Sequence, residues 1–502
     1  MAGVEGGGQP FPPGDYGVVV VGSGPGALQT AYCLDRLGID HAVISADDAP
    51  GGMFARMPIF ERLISPTKPS APFERTSRDY ERYDHNSLLA EEEDARGLVP
   101  EFMDRSFDVP SRAEMHMALQ AFAERARVRV RYGCRWESTR REDDGALVLA
   151  TGDGEYRCRA AVFAIGVTEP WKPKVPGFED VPHYAETRPP REYEGRRVAI
   201  IGKRNSGFEI ANGLLPWARE VVMLSPRPVN TSSIALLPIR TRYLQPFDEY
   251  ARGLGGAYVL DAAIERVDRV DGAFRVVAQG TTKPGPLSIE ADDVIIATGF
   301  RTPLLDLPEL GVETVSDGRI PALTPFFESI GAPGIYFAGN ASGGAAGLLK
   351  VERAGQSTSV NGFRYNARLL AQRIAERHFD RPRERSTIEP ASLIQVLLDE
   401  LAHSPELWVQ RGYLARVISF EDGPHDEGYE PLTNFVDATG PDAVAAAVEL
   451  APDASIAPVL YVRRGGNVTE HQLAPHPLHA YETDDYRAEL EHVLAALVRV
   501  AA

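Results

Sequence analysis

Two glycine-rich turns have the spacing that can hold the phosphates of a dinucleotide. The first lies in GVVVVGSGPG, residues 17–26, and precedes the helical pattern LQTAYCLDRLG. Gly22 permits the tight turn, Gly24 leaves room for a pyrophosphate against the backbone, and Ala27 lets helix and strand pack closely. The helix N-terminus then faces the phosphates with unpaired N–H groups and the positive end of its dipole. The residues predicted to bind through this turn are Gly22, Ser23, Gly24, Pro25, Gly26 and Ala27.

The strand that follows, HAVIS at residues 41–45, ends without the acidic residue that usually holds ribose hydroxyls. Ser45 stands at its end and is the predicted contact there. Asp47 or Asp48 is an alternative ribose ligand, and a more loosely held ribose is another. The sequence leaves these alternatives open.

The second turn, GKRNSG at residues 202–207, carries an arginine where its second glycine is expected. A side chain there either points away or reaches over the diphosphate. The planar fork of Arg204 is suited to pairing with phosphate oxygens, and Lys203 adds charge beside it. Alternatively, Arg204 blocks the turn and the domain is purely structural. The residues predicted to bind here are Gly202, Lys203, Arg204, Asn205 and Ser206.

The strand after the second turn ends in EVVMLSPRP, residues 220–228, with no Asp or Glu to hold a ribose 2′-hydroxyl. Arg227 follows this strand closely. An absent acid with a nearby arginine is typical of sites that bind the extra phosphate of NADP. A merely solvated arginine is the other interpretation. Together, the turn and Arg227 predict a modified NADPH site.

Three further segments run from an apolar strand into a glycine: AVFAIG at residues 161–166, DVIIATGF at 293–300 and GIYFAGNASGG at 334–344. Singly, each is equally well a buried strand with a turn. In this order around two dinucleotide turns, they resemble the flavoproteins with two dinucleotide-binding domains. That group comprises flavin-containing monooxygenases, amine N-hydroxylases and thioredoxin-reductase-like proteins.

The resemblance implies FAD and assigns it residues. In this family the first turn holds the FAD diphosphate, and GGMF at residues 51–54 matches a Gly-Gly segment that lies along the flavin. A late Gly-Asp motif meets the ribityl chain, and here it reads Gly339-Asn340. Asparagine keeps the hydrogen-bonding capacity without the charge, so FAD is still expected. The further residues implied in cofactor binding are Gly51, Gly52, Met53, Gly166, Gly299, Gly339 and Asn340.

RYDHNSLL at residues 82–89, preceded by LISPTKPS at 63–70, most resembles the FAD-dependent oxidoreductase group that includes the endoplasmic-reticulum flavoprotein of protein degradation. In such proteins these segments approach the flavin ring. Lys68, His85 and Asn86 are therefore candidate catalytic donors that orient substrate or stabilise oxygen bound for transfer. For any one of them, a surface role or a role satisfied in the core is the simpler interpretation.

The order of motifs predicts an α/β fold with two Rossmann-like domains. The resemblance implies a discontinuous FAD-binding domain, residues 15–188 and 303–382, with an NAD(P)H-binding domain inserted at 189–302. Residues 383–502 are predicted to form an α+β extension that serves packing or homodimerisation. Its predicted elements are a helix at SLIQVLLDELAHS, a hairpin around Gly465-Gly466 in VLYVRRGGNVTEHQL, and a last helix at DYRAELEHVLAALVRV.

Composition disfavours several classes of partner. The net charge of −18 argues against nucleic acid and anionic membranes. No apolar stretch reaches the length of a membrane helix, and the first residues lack a signal pattern. Residues 1–14 are therefore expected to be a disordered leader on a cytoplasmic protein. Cys33, Cys134 and Cys158 form no C-x-x-C pair and no metal-ligand spacing, which predicts reduced, buried thiols.

These features predict an FAD- and NADPH-dependent monooxygenase that uses molecular oxygen to hydroxylate a nitrogen or another heteroatom of a small molecule. The missing C-x-x-C excludes the usual disulfide relay. The F-x-G-x-x-x-H linker motif of monooxygenases has its best match at residues 178–183, which lacks the glycine and is one residue short. Two alternatives stay open: an NADPH-dependent reductase or oxidase without oxygen insertion, and a flavin-bound binding protein with a vestigial nicotinamide site.

Overall fold

The computed structural model describes residues 9–56, 62–229, 241–244, 247, 254–345, 347, 357–451 and 455–498. Most of the predicted leader, residues 1–8, lies outside this part of the chain. The strands are β1 (Gly14–Val21), β2 (His41–Ile44), β3 (Trp136–Arg141), β4 (Leu147–Thr151), β5 (Gly154–Phe163), β6 (Glu169–Pro170), β7 (Arg197–Ile201), β8 (Glu220–Ser225), β9 (Ala257–Val270), β10 (Ala273–Gly280), β11 (Gly285–Ala291), β12 (Asp293–Ile296), β13 (Phe300–Arg301), β14 (Thr314–Val315), β15 (Ile320–Pro321), β16 (Ile335–Phe337), β17 (Ser386–Thr387), β18 (Leu414–Ser419), β19 (His425–Pro431), β20 (Ala443–Leu450), β21 (Ile456–Arg464) and β22 (Asn467–Gln472). The helices are α1 (Pro25–Arg36), α2 (Met53–Arg56), α3 (Val99–Phe102), α4 (Arg112–Arg125), α5 (Asn205–Leu214), α6 (Thr241–Leu244), α7 (Val360–Phe379), α8 (Leu393–His403), α9 (Pro405–Val409), α10 (Leu432–Asp437) and α11 (Asp484–Val498).

The chain forms two compact units. The first unit comprises Met1–Ala55, Ser65–Val167 and Thr302–Ala502, and the second comprises Arg56–Ile64 and Thr168–Arg301. The sequence placed the crossing near residue 188, whereas the contacts place it near residue 167. The difference arises because β6 pairs with β13 and His183 bridges to Ile296, which ties residues 168–188 to the second unit.

The main sheet of the first unit has the strand order β2-β1-β5-β4-β3, with β16 also paired to β5. The four valines of β1, residues 18–21, are buried, as expected for a strand covered on both faces. The parallel register places Val21 level with Ile44 and Phe163, and Phe163 level with Phe337. The segments that follow β1, β2, β5 and β16 therefore emerge at one edge of the sheet, where ligands bind in such folds.

The sheet of the second unit has the order β11-β10-β9-β8-β7-β12. β12, β7, β8 and β9 are parallel, and β10 and β11 are antiparallel additions. The register places Ile201 level with Leu224 and Ile296, and Ser225 level with Asp261. The carboxyl ends of the parallel strands again share one edge. The predicted α/β class with two Rossmann-like sheets is confirmed.

Residues 383–502, the C-terminal extension, contain a third sheet in the antiparallel order β17-β19-β18-β20-β21-β22. α8 and α11 pack on it through a leucine-rich core. Both helices were predicted, and so was the hairpin between β21 and β22. Gly465 and Gly466 form its turn with positive φ angles of 53° and 82°, the left-handed conformation that favours glycine. The extension belongs to the first unit.

Candidate functional site: two matched phosphate turns

The two glycine turns have the same backbone conformation. Gly22 and Gly202 have φ angles of 129° and 128°, both in the region that favours glycine. Each donates its N–H to a carbonyl near the end of the next strand, that of Ile44 or Leu224, at 2.8 Å. A helix begins three residues after each glycine, α1 in the first unit and α5 in the second. The second turn is therefore built like the first despite its different sequence.

The first glycine of each turn is required by the fold itself. A Cβ atom on Gly22 would lie 2.5 Å from the carbonyl oxygen of Ala164, and one on Gly202 would lie 2.3 Å from that of Ala297. The third small residue of the second turn is equally constrained, because a Cβ on Gly207 would lie 2.2 Å from the carbonyl oxygen of Gly202. These close approaches hold strand, turn and helix together before any ligand is considered.

The second glycine position has no such requirement. Gly24 has φ −77° and ψ 179°, and Arg204 has φ −106° and ψ −171°, which are extended conformations open to any residue. A Cβ on Gly24 would meet only the Cα of Gly52, at 3.9 Å. Arginine therefore fits the second turn without strain, and the exposed Arg204 side chain starts at the helix N-terminus. Arg204 does not disrupt the turn.

Three glycine segments meet around the N-terminus of α1. The N–H of Gly51 donates to the carbonyl of Ser23 at 2.9 Å, and a Cβ on Gly52 would lie 3.0 Å from the Cα of Gly24. On the other side, a Cβ on Gly26 would lie 2.4 Å from the Cα of Gly339. The structure thus brings the GGMF segment and the Gly339-Asn340 motif to the first turn, as the resemblance implied.

Two residues of α4 hold the GGMF segment, and sequence reasoning missed both. The ring of His116 lies where a Cβ on Gly51 would be, with its Cδ2 at 2.5 Å, and its Nε2 is 2.9 Å from the carbonyl of Pro50. Arg112 donates to the carbonyl of Phe54 at 2.9 Å. Their spacing of four residues places both on one helix face, but nothing in the sequence relates that face to the glycines.

Asp47 is the acidic residue that lies against the first turn. The Ser23 hydroxyl donates to its carboxylate at 2.6 Å, and its own N–H donates to the Ser45 hydroxyl at 3.1 Å. Ser45 is buried at the end of β2, whereas Asp48 is exposed. Of the alternatives that the sequence left open, Asp47 is the acidic residue that hydrogen-bonds to the first turn.

Lys203 does not add charge at the second turn. Its buried ammonium donates to the carbonyl of Leu260 at 2.8 Å and forms an ion pair with Asp261 on β9. The hydrogen bond from Lys203 lowers the pKa of Asp261. Asn205 and Ser206 open α5, and Arg227 is exposed two residues beyond β8. Of the cationic residues predicted at this edge, Arg204 and Arg227 are exposed, whereas Lys203 is buried.

The glycines that follow the central strands have left-handed backbones, with φ 70° at Gly166 and 100° at Gly299. The carbonyl of Gly299 accepts hydrogen bonds from the ring Nε2 of His183 at 2.9 Å and from the N–H of Trp171 at 3.0 Å. His183 is fully buried, and burial lowers its pKa. The histidine of the shortened linker motif therefore braces the second unit internally.

Asn86 joins the two segments that carry the candidate catalytic residues. It is buried, and its amide donates to the carbonyl of Ser65 at 2.9 Å and to the Thr67 hydroxyl at 2.8 Å. Lys68 follows with an exposed side chain, while its N–H donates to the carbonyl of Tyr83 at 2.8 Å. Asn86 thus acts as an internal brace, and Lys68 is the residue that presents an amine to solvent.

His85 is half-buried, and its ring Nε2 lies 3.2 Å from the carbonyl of Arg82. Burial and the nearby positive charge of Arg364 lower the pKa of His85 to about 4. The ring is therefore neutral near pH 7. Since a carbonyl only accepts, Nε2 carries the proton and Nδ1 keeps its lone pair. His85 offers an acceptor at neutral pH, whereas a donor was expected from the sequence.

The three cysteines are free and buried. Burial raises the pKa of the Cys33 thiol to about 11 and that of the Cys158 thiol to about 12. The pKa of Cys134 is raised by the same cause. Because the thiolate is the reactive form, these residues are poor nucleophiles. The prediction of reduced, buried thiols is confirmed. Among the described residues, no helix is both long and apolar enough to cross a membrane.

The chain is similar to known flavoproteins over most of its length. It is 25% identical over 456 residues to FAD-dependent oxidoreductase domain-containing protein 2 of Mus musculus, which covers 83% of this chain and 66% of that protein. The chain thus spans just under two thirds of the length of this curated relative.

Two solved structures share the fold. Bacillithiol disulfide reductase Bdr (YpdA) from Bacillus cereus has a TM-score of 0.55 and 22% identity, and 72% of this chain covers 100% of it. A flavin-containing monooxygenase from Stenotrophomonas maltophilia has a TM-score of 0.53 and 22% identity, and 72% of this chain covers 98% of it. Each of these structures therefore leaves more than a quarter of this chain without a counterpart.

A family model described as pyridine nucleotide-disulphide oxidoreductase matches residues 19–339, which is more than half of the chain. The match begins inside β1, before the first phosphate turn, and ends at Gly339 of the late glycine motif. It therefore includes both turns and the glycine segments as far as Gly339. The resemblance inferred from the sequence is confirmed, and the chain belongs to the pyridine nucleotide-disulphide oxidoreductase family.

Proposed function

We propose that this protein is an FAD- and NADPH-dependent monooxygenase that oxidises a small molecule, at a nitrogen or another heteroatom. The observation that carries the proposal is the pair of matched phosphate turns in a chain whose thiols are all buried. Two turns provide for two dinucleotides, and buried thiols leave no disulfide for the electrons to reach within this chain. Membership of the family supports oxidoreductase chemistry. Oxygen insertion goes beyond that membership and is our proposal.

The residues of the first unit fit FAD. The position at Gly24 is open where a diphosphate must lie against the backbone, and the α1 N-terminus supplies unpaired N–H groups. The Asp47 carboxylate would accept from ribose hydroxyls. The Asn340 amide, beside Gly339, would provide both a donor and an acceptor for the ribityl chain. This donor set matches each part of the cofactor except the flavin ring.

The residues of the second unit fit NADPH rather than NADH. Arg204 would pair with the diphosphate and Arg227 with the 2′-phosphate, since both are exposed guanidinium groups at the carboxyl edge of the sheet. β8 ends in Ser225, so no acidic side chain at its end repels that phosphate. Lys203 would only support the turn, because Asp261 already neutralises it.

Bound FAD supplies hydride acceptance from NADPH and the reaction of the reduced ring with oxygen. The chain's own residues would hold the substrate and its proton. The neutral His85 ring would accept a hydrogen bond or a proton at Nδ1. That proton would come from the heteroatom of the substrate as it loses hydrogen. The exposed Lys68 ammonium would donate to a polar or anionic group of the substrate. Asn86 would keep the two segments in register.

Rapid mixing of purified, flavin-loaded protein tests this proposal in two stages. NADPH is added without oxygen, and flavin absorbance is followed. Oxygen is then added, and oxygen consumption is compared with hydrogen peroxide release. We expect rapid flavin bleaching, followed by a delay between oxygen consumption and peroxide release.

Each alternative gives a different result in the same experiment. Bleaching followed by immediate, stoichiometric peroxide would identify an oxidase or reductase without oxygen insertion. No bleaching by NADPH or NADH would identify a flavin-bound protein with a vestigial nicotinamide site. Repeating the oxygen stage with the His85→Gln variant tests the role of Nδ1, since glutamine keeps a polar side chain without an imidazole base.

A further inference from the structure

The C-terminal extension contacts the segment of residues 65–90 through the side chain of Arg82. The guanidinium of Arg82 donates to the carbonyl of Ala402 at 2.5 Å and lies 4.3 Å from the centroid of the Trp408 ring. Ala402 is on α8 and Trp408 is on α9. A guanidinium stacked on an indole gains a cation–π interaction that strengthens as water is excluded. Trp408 is buried, so this contact is well shielded.

The backbone of the same arginine orients His85. The Arg82 carbonyl accepts from the His85 ring, which fixes the imidazole tautomer. Arg82 ends the short 3-10 helix Asp79–Arg82, so its side chain and its carbonyl belong to one rigid turn. One residue therefore connects the extension to the candidate catalytic histidine.

A second anchor lies one turn earlier, at Arg78. Its guanidinium donates to the Glu406 carboxylate at 2.9 Å and to the Glu400 carboxylate at 3.3 Å, both in the extension. Glu406 also pairs with Arg368 of α7 at 3.3 Å. Burial alone would raise the pKa of Glu406, but Arg78 and Arg368 lower it below its usual range. The two arginines thus hold a buried carboxylate in its charged form.

The extension also contributes to the electrostatic environment of His85. Burial has the largest effect on its pKa and lowers it; Arg364 and Arg411 lower it further, whereas Asp84 and the Arg82 carbonyl raise it. Arg411 lies in the extension, just beyond α9, and Arg364 lies on α7. The extension therefore contacts the turn before His85, and its charge reaches the ring.

We infer that the extension is a positioning device for residues 65–90, with Arg82 as the positioning residue that holds His85 in place. Its relevance to catalysis rests on the proposed function, in which this segment faces the flavin. The contacts between the extension and residues 65–90 are a property of the folded chain. It can be tested whether or not the protein inserts oxygen.

The test measures the His85 pKa by NMR titration of the full-length protein, with the resonance assigned from the His85→Gln variant. Arg82→Ala removes the side-chain contacts with the extension but keeps the backbone carbonyl that accepts a hydrogen bond from His85. We expect the His85 pKa in this variant to rise from about 4 toward its ordinary value by about one unit or more. Amide hydrogen exchange should also accelerate at least about tenfold across residues 65–90.

Two further variants make the result specific. Arg82→Lys keeps a donor for the Ala402 carbonyl and should restore part of the pKa shift. Arg75→Ala is the matched control, because Arg75 lies in the same segment but pairs with Glu101 of the same unit, outside the extension. An unchanged His85 pKa in Arg82→Ala, or an equal shift in Arg75→Ala, would overturn the inference.

Kinetics separates this inference from the proposed function. If both hold, Arg82→Ala should lower kcat several-fold while the KM for NADPH stays within about twofold, because the NADPH residues lie in the other unit. If wild-type flavin is not reduced by NADPH, the proposed function fails, and the pKa and exchange results still decide the positioning role. If kcat is unchanged while the pKa shifts, the device positions His85, but His85 is not catalytic.

Discussion

At the scale of residues, a comparison of the two turns distinguishes the glycines that the fold requires from the glycine that a bound ligand requires. Gly22 and Gly202 are needed because a Cβ would collide with a neighbouring carbonyl. Gly24 is not needed by the backbone, and its counterpart Arg204 shows that a large side chain can stand there. A glycine that the fold does not require is best explained by the ligand that must approach it.

Matched substitutions at Gly22 and Gly24 test this separation. Gly22→Val should destabilise the flavin-free protein by about 3 kcal/mol or more, because it combines a positive φ with a 2.5 Å collision. Gly24→Val should change that stability by only about 1 kcal/mol or less but sharply lower flavin occupancy. Denaturation of the apoprotein and flavin absorbance per protein measure the two effects. Full occupancy in Gly24→Val would contradict the FAD assignment.

Substitution of Arg204 tests the second turn. If its guanidinium pairs with the diphosphate, Arg204→Ala should weaken NADPH and NADH alike by about 1.5 to 3 kcal/mol, or roughly 10- to 150-fold. Arg227→Ala should weaken NADPH only. Calorimetric dissociation constants for both nucleotides distinguish these outcomes. Because the Arg204 backbone is unstrained, Arg204→Gly relieves no strain in the protein. Tighter binding of the nucleotides by that variant would therefore show that the arginine obstructs the site.

At the scale of elements, the carboxyl edges of the parallel strands bring together the two glycine turns and the glycines that follow the other strands. The edge of the second unit is stabilised by the ion pair between Lys203, after β7, and Asp261 on β9. This pair joins the phosphate turn to a strand two positions away in the sheet. Its role is structural, since both charges are satisfied internally.

Asp261→Asn should therefore destabilise the second unit, because it leaves the Lys203 ammonium buried without a counter-charge. We expect a loss of about 3 kcal/mol, measured by chemical denaturation. Asp268→Asn on the same strand is the control, since its exposed pair with Arg266 is worth about 1 kcal/mol or less. The pKa of Asp261 is depressed in the folded protein, so its contribution is present above the ordinary value of 3.8 and is lost as pH falls below it. The difference from wild type should shrink in that acidic range.

The sequence predicted the elements well and the side-chain contacts poorly, for a physical reason. The glycine turns, α8, α11 and the Gly465-Gly466 hairpin follow from local patterns of apolar residues and glycines. The contacts of Lys203 and His116 depend on partners more than fifty residues away, and no local pattern encodes those partners. Arg227 follows β8 by two residues, as the sequence indicated, and its role as a phosphate ligand stays a prediction.

At the scale of the whole molecule, the chain differs in one respect from the chemistry for which its family is named. The family is named for disulphide chemistry, but here three buried thiols lie in the first unit, each with a raised pKa. None is activated as a nucleophile. The chain's own cysteines are therefore poorly suited to an internal disulfide relay.

Replacing Cys33, Cys134 and Cys158 together with Ala should leave NADPH-driven flavin reduction within about twofold of wild type. The reason is that buried, protonated thiols take no part in electron transfer. A thiol reagent should label none of the three in the native protein and all three in denaturant. Loss of reduction in a folded, flavin-loaded triple variant would mean that a disulfide does carry electrons.

The backbone contact between Gly26 and Gly339 has a consequence for how the protein is made. These residues lie at opposite ends of the family match, and the whole second unit is inserted between them. During synthesis, the turn at residues 22–26 emerges first but cannot be completed until the chain beyond residue 339 has left the ribosome. The inserted unit has its own sheet and can fold in the interval. Closure between such distant segments is slow, so the flavin pocket should form only after residue 339 has emerged, and newly made chains should not bind the cofactor before then.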